Sequence, residues 1–460
     1  MKNRKYQKQD RNESRSIFAK SKNTSNKQPD GWDKRILIAI IALFLVSVGV
    51  LVYSKCNKNS TEIEINVQQN NEQITTEQTN DLNENNHTVN KNNAGEYCDD
   101  AIRLSEPKNN ELYAIDNEAG SSKNSVFTGR RINIAVTGLD GRIGHLSKLA
   151  DANHVISILI ETGEIEITSI PRDTHCDLGY SSDSTNVDLN KLTYSRANKG
   201  RNRYHQELAR IAKLDKIHYY IEFGFSQAMG IIEFLGYKNP GNTLQVLRSR
   251  KGLGGDDYQR CYTQGQFIRQ AMLGHFNKFT GTFGGVLARA GLFMVETNLT
   301  GNKAVEIIRE LEKTGFPKSP ESVVVRVRPS MKMAYKVYDF SDERTVSQLV
   351  RKIEDFNKSR FEKGAETPQT VVDVSKRLND VLRSAVADTA KHPARVISKL
   401  TPYFEQRAWY QVKNKNERAK IRNEFGVLLS TAYIKRNNKE EADRVLEIIE
   451  SEKKIFEQQP

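Results

Sequence analysis

Apolar and polar positions divide the chain into four stretches of different character. Residues 36–53 form an unbroken apolar run without charge or proline. Its eighteen residues, at about 1.5 Å each, span roughly 27 Å, close to the hydrocarbon thickness of a bilayer. No small-residue cleavage site follows it, so it reads as a single-pass signal anchor. Residues 54–97 are rich in Asn, Gln, Thr and Glu and hold almost no large apolar side chain. Such a stretch cannot bury enough surface to fold and reads as a spacer.

From Cys98 the pattern becomes globular. Residues 132–136 read as a buried strand, and 155–161 and 164–170 alternate around Thr162-Gly163, which predicts a hairpin with a two-residue turn. Helical spacing predicts helices over 204–214, 227–235 and 262–276, with strands at 217–225 and 244–250. Residues 322–327 and 335–340 are candidate late strands of the same sheet. The mixture predicts an α/β domain with a central mixed sheet over 98–357. Residues 371–391, 393–404, 416–436 and 439–456 all read as amphipathic helices, so 358–460 is expected to be an all-α appendage. Leu429, Ser430, Tyr433 and Ala442 loosely follow a tetratricopeptide hairpin, but one copy does not make a repeat array.

Charge refines the address. The 460 residues carry a net charge of +13 and a pI near 9.3, which invites a nucleic-acid reading. Residues 1–35, however, hold eleven Lys/Arg against four Asp/Glu, over half of that excess. Basic residues before an apolar span place the tail in the cytoplasm and the chain after Ser54 outside. Nucleic acid is therefore not the expected partner. A cytoplasmic-membrane protein, with its bulk extracytoplasmic, is.

Candidate chemistry clusters in the globular part. Asp140 ends a strand-and-turn segment, and Asp151 precedes the next strand. Two carboxylates near phosphate oxygens are a common way to hold Mg²⁺ or Mn²⁺. Arg172 lies in Ser169-Ile170-Pro171-Arg172-Asp173-Thr174. Arg248 and Arg250, two apart on an expected strand, would share a face, and guanidinium forks suit a diphosphate. Gly138, Gly141 and Gly144 match no nucleotide-binding spacing. His145, His154 and His175 lack zinc-site spacing. Cys176 follows the Arg172 run and Cys261 follows Arg260, so a Cys176–Cys261 disulfide would tie two site segments together. Free buried thiols and pairing with Cys98 are the alternatives.

Across roughly 131–276 the chain resembles the LytR–CpsA–Psr family of cell-envelope phosphotransferases. The residues concerned are Gly138-Leu139-Asp140-Gly141-Arg142, Asp151, the 169–174 run, Asn190, 219–225, Arg248-Ser249-Arg250, Asp257, Arg260 and Gln264. The resemblance implies an αβα domain that moves a glycopolymer from a polyprenyl (undecaprenyl) diphosphate to peptidoglycan or another envelope acceptor. On that template Asp140 and Asp151 position Mg²⁺ or the acceptor. Arg142, Arg172, Arg248 and Arg250 grip the diphosphate, supported by Arg260 and Gln264, while residues 267–294 are candidates for a lipid groove or for ordinary core. Departures from the family pattern at Leu149-Ala150, Ala152, Lys191-Leu192-Thr193 and Thr263 bear on the acceptor. They leave two further readings: a polyprenyl-diphosphate hydrolase, and a non-catalytic scaffold that binds lipid-linked polymer.

Overall fold

In the computed structural model the described residues are 103–108, 111–115, 129–181, 188–362 and 373–457. The basic tail, the apolar run, the spacer, Cys56 and Cys98 lie outside them. No helix among the described residues is long and apolar enough to cross a membrane.

Among the described residues nine strands form two sheets. A small antiparallel sheet joins β1 (Arg103–Lys108), β2 (Glu111–Ile115) and β9 (Ala334–Val337). The six-stranded sheet contains β3 (Arg131–Leu139), β4 (Ala150–Leu159), β5 (Glu164–Ile170), β6 (Tyr219–Phe223), β7 (Glu296–Thr297) and β8 (Val323–Val327), in the order β7-β6-β3-β4-β5-β8. Pairs β3–β6 and β5–β8 are parallel and the rest antiparallel, which makes the sheet mixed.

Strand alternation decides which residues face which layer. Ala135 and Val155 are register partners. Both pack with Leu192 of α1 (Leu192–Asn198) and with Tyr204 and Leu208 of α2 (Gly200–Ile211). Their neighbours Ile134 and Val136 face the other way, in a cluster with Tyr262, Ile307 and Leu311. Helices thus cover both faces, and the αβα layering holds. The next helices are α3 (Phe225–Leu235), α4 (Pro240–Arg248), α5 (Asp257–His275), α6 (Gly281–Leu292), α7 (Gly301–Lys313) and α8 (Glu343–Glu362). Helix α5 lies hard against the sheet at Gly265, where a Cβ would come 2.6 Å from Ser169 Oγ and 2.7 Å from Val325 Cγ1.

Several expectations are corrected. The β4–β5 hairpin turns through four residues, because Leu159 pairs with Glu164 and Gly163 takes a left-handed φ of +75°. Residues 244–250 are not a strand: Pro240 opens helix α4 there, and Leu244, Val246 and Leu247 are its buried apolar residues. The strand expected at 335–340 belongs to the small sheet. The boundary expected after residue 357 falls inside α8.

The four C-terminal helices form as expected: α9 (Val374–Asp388), α10 (Pro393–Glu405), α11 (Lys415–Lys435) and α12 (Lys439–Glu457). They are not an appendage. Leu400, Phe404, Trp409, Phe425 and Val445 share one apolar cluster with Phe234 of α3 and with Met294. Gly230 faces the Tyr410 ring so closely that a Cβ would lie 2.7 Å from it. Ion pairing adds to the seam, with Arg418 Nη1 2.6 Å from Glu233 Oε2.

Candidate active site

The site is built at one end of the six-stranded sheet. Gly138 pairs with Ala152 and Leu139 with Ala150, so Asp151 is the extra residue of a β-bulge. A bulge re-aims the side chain it carries, and here the Asp151 carboxylate meets Arg172 Nη1 at 2.7 Å. Asp140 lies across the same strand end, its N–H donating to Leu149 O at 2.9 Å, and is exposed.

Helix α5 supplies the second wall. Asp256 caps it, its carboxylate accepting from Gln259 N at 3.0 Å. Asp257, Arg260 and Gln264 follow at i, i+3 and i+7 and share one face. Asp257 accepts the Arg172 backbone N–H at 3.1 Å. Arg260 Nη2 lies 2.5 Å from Asp257 Oδ1 and also donates to Asp151 O at 3.3 Å. Gln264 donates to Leu247 O at 2.9 Å and so joins α5 to α4. The segment carrying Arg172 is fixed by α1, whose Leu192 and Thr193 N–H groups donate to Thr174 O and Arg172 O.

Three guanidiniums therefore surround two carboxylates. Arg250 Nη1 is 3.9 Å from Asp257 Oδ1. Burial and the charges of Arg172 and Arg260 lower the Arg250 pKa, with Asp257 opposing them. Burial also weighs against the Arg172 charge, but Asp151 outweighs it and the net shift is upward. The Nε–H groups of Arg172 and Arg260 are buried and have no hydrogen-bond acceptor. Buried donors without acceptors are costly in a finished fold. Together with the excess of positive charge they make this a place prepared for an anion.

The remaining expected residues divide. Arg248 ends α4 and is exposed, its guanidinium 4.8 Å from the centre of the Phe225 ring. It does not share a strand face with Arg250, which lies beyond the helix end. Arg142 is exposed on the loop after β3. Cys176 and Cys261 are free buried thiols, so the expected bridge is absent. Burial pushes the Cys176 thiol up to about 12 and raises Cys261 as well. His154 is buried, its Nδ1 2.9 Å from Ser169 Oγ, whereas His145 and His175 are exposed. Asn190 holds the backbone of Leu178 and Tyr180. Thr263 is buried and accepts from Gln259 Nε2 at 3.0 Å. Phe267 packs on Phe340 and Phe276 on Phe316, while Phe283 and Val286 are exposed on α6.

Among the described residues no group of three or more His, Cys, Asp or Glu side chains could hold a metal. The oxygens of Asp140 and Asp151 still suit a hard cation. One Asp151 oxygen is held by Arg172, so most of a Mg²⁺ or Mn²⁺ shell would come from water and phosphate.

The loop after β3 is also held by a residue to which no sequence pattern had pointed. Gln406 Oε1 accepts from Gly144 N at 2.8 Å, and its Nε2 donates to Arg142 O at 3.0 Å and His145 O at 2.8 Å. The available signal was Gly144 itself, at a φ of +79°.

Residues 99–236 match the LytR_cpsA_psr family, which bears out the resemblance where the two overlap, over 131–236. No curated protein matches the chain. Similar solved structures include TagV of B. subtilis, at 15% identity and TM-score 0.36, covering 49% of this chain and 96% of that one. Protein gbs0355 from Streptococcus agalactiae is 13% identical with TM-score 0.36, covering 53% and 90%. TagT bound to LIIa-WTA is 14% identical with TM-score 0.31, covering 49% and 90%.

Proposed function

We propose that this chain, with its LytR–CpsA–Psr match over residues 99–236, is a membrane-anchored extracytoplasmic phosphotransferase. It moves a glycopolymer from a polyprenyl diphosphate to a cell-wall acceptor, with peptidoglycan as the expected one. The observation that carries the reading is the convergence of Arg172, Arg250 and Arg260 on Asp151 and Asp257, with two buried Nε–H donors left over. A diphosphate would satisfy those donors and neutralise the surplus charge.

In the reaction a sugar hydroxyl attacks the phosphorus that bears the glycan, the bond to the bridging oxygen breaks, and the lipid monophosphate leaves. The arginines stabilise charge on the departing group. Asp140 is the better base, because the Asp151 carboxylate is committed to Arg172 at 2.7 Å. A Mg²⁺ or Mn²⁺ held by Asp140 and Asp151 would add neutralising charge at the diphosphate oxygens.

The test mixes purified full chain with a polyprenyl-diphosphate glycan, Mg²⁺ and peptidoglycan fragments. The expected products are a glycan–peptidoglycan conjugate and lipid monophosphate, both abolished in Asp140→Asn. Free phosphorylated glycan without conjugate would identify a hydrolase instead. Absence of both products with every acceptor tried would sink the enzyme reading and leave the scaffold.

A further inference from the structure

The loop that carries Asp140 and Arg142 has few bonds of its own. His145 N donates to Arg142 O at 2.8 Å, Asp140 N to Leu149 O at 2.9 Å and Leu149 N to Ser147 Oγ at 3.2 Å. The side-chain amide of Gln406 supplies three more, to Arg142, Gly144 and His145. Packing follows the same route. Gly144 lies against Tyr403 so tightly that a Cβ would come 2.5 Å from the ring, and Ile143 packs on the apolar cluster of the C-terminal helices.

The segment that follows Gln406 is anchored at two places. The adjacent Arg407 ion-pairs through Nε with the buried Glu452 at 3.0 Å, and Trp409 Nε1 donates to the same carboxylate at 2.9 Å. A few residues further on, Gln411 Nε2 donates to Ser226 Oγ at 2.8 Å, at the start of α3. The segment next to the amide is therefore tied both to the last C-terminal helix and to α3.

We infer that Gln406 is a positioning residue for the Asp140–Arg142 loop, and that the C-terminal helices complete the diphosphate site. The inference rests on the functional reading of Asp140 and Arg142 given above. It assigns residues 393–457 a role in binding geometry, one that leaves them no direct contact with the reacting atoms.

The test uses the full chain in detergent, with geranylgeranyl diphosphate as probe. Gln406→Ala should speed amide hydrogen exchange across residues 141–147 by about tenfold or more, while exchange in 415–457 stays as in wild type. Diphosphate affinity should fall by about tenfold, the worth of one misplaced charge-assisted contact. Gln406→Glu keeps the acceptor for Gly144 but sets a carboxylate against two carbonyls, so it should do no better. Because Gln406 acts through the loop, adding Gln406→Ala to Arg142→Ala should weaken binding no further than Arg142→Ala alone. Unchanged exchange at 141–147, or losses that multiply in the double variant, would overturn the inference. Should Arg142→Ala bind like wild type, the diphosphate reading of Arg142 fails, and loop exchange alone decides whether Gln406 holds the loop.

Discussion

Replacing Arg250 with alanine separates ligand binding from folding more cleanly than any other change at the site. Among the described residues its one ion-pair distance is long, 3.9 Å to Asp257, a carboxylate that Arg260 already engages at 2.5 Å. Burial, then the charges of Arg172 and Arg260, lower its pKa against the pull of Asp257 and Asp173. In the unliganded protein the Arg250 charge is thus disfavoured, and Arg250→Ala should leave Tm unchanged or raise it slightly. With a diphosphate present the sign reverses, because the lost contact is a charge-assisted hydrogen bond worth about 1.5–3 kcal/mol. That corresponds to roughly 10- to 150-fold in Kd. Arg250→Lys should recover part of it, since an ammonium supplies charge without the planar fork. Calorimetric titration with geranylgeranyl diphosphate gives the affinity, and thermal unfolding of the same samples gives Tm. A Tm lowered by several degrees with affinity per folded molecule unchanged would refute the argument and make Arg250 a structural residue.

Arg172 should behave differently, because it bonds Asp151 at 2.7 Å with both partners partly buried. Arg172→Ala should lower affinity and also cost about 1–2 kcal/mol of stability, between the exposed and fully buried cases; an unchanged melting curve would contradict this. His154 titrates at about 4 against 6.5 for the unfolded chain, mainly through burial, with Arg260 adding and Gln264 opposing. Between those values only the unfolded chain binds the proton, so stability should drop as pH falls from 6.5 towards 4, by up to about 3 kcal/mol. Denaturant titrations of wild type and His154→Gln should differ in that slope, and parallel slopes would count against it. Glu222 is separable: burial opposes its charge, but the forks of Arg196 and Arg201 hold it at about 2. Its contribution is full above the unfolded value near 4.5 and is lost only as pH falls towards 2, so Glu222→Gln should destabilise throughout the neutral range. Cys176 and Cys261 should resist alkylation in the native protein and react in denaturant without a reducing agent. A requirement for reductant would restore the disulfide.

Part of the site could be read from the residues themselves: Asp140 and Asp151 were placed at strand ends. Asp257, Arg260 and Gln264 came from the family resemblance, because the helix expected from 262 begins five residues earlier, at Asp257. What spacing could not decide was 244–250, a short apolar run with two arginines, where strand and helix periods are both satisfied. Pro240 was the discriminating residue, since proline suits the first turn of a helix. Misreading it paired Arg248 with Arg250, whereas the helix sends Arg248 to the Phe225 ring. The bulge at Asp151 left no mark in the pattern, because it depends on where the partner strand loses register. Gln406 was beyond reach for a different reason. It sits 262 residues from Gly144, and no local periodicity couples positions that far apart. Gly144 marked only that the backbone there needed an unusual turn, not what closed over it.

The Glu452 carboxylate that steadies Arg407 and Trp409 has a consequence in time. It is synthesised roughly 300 residues after Asp140. At the usual pace of about 5–20 residues per second, some 15–60 s separate the two. The sheet can close during that interval, but the loop at its edge lacks its clamp. A chain still in synthesis therefore carries the arginines before the last helix has fixed Gln406 against their neighbouring loop.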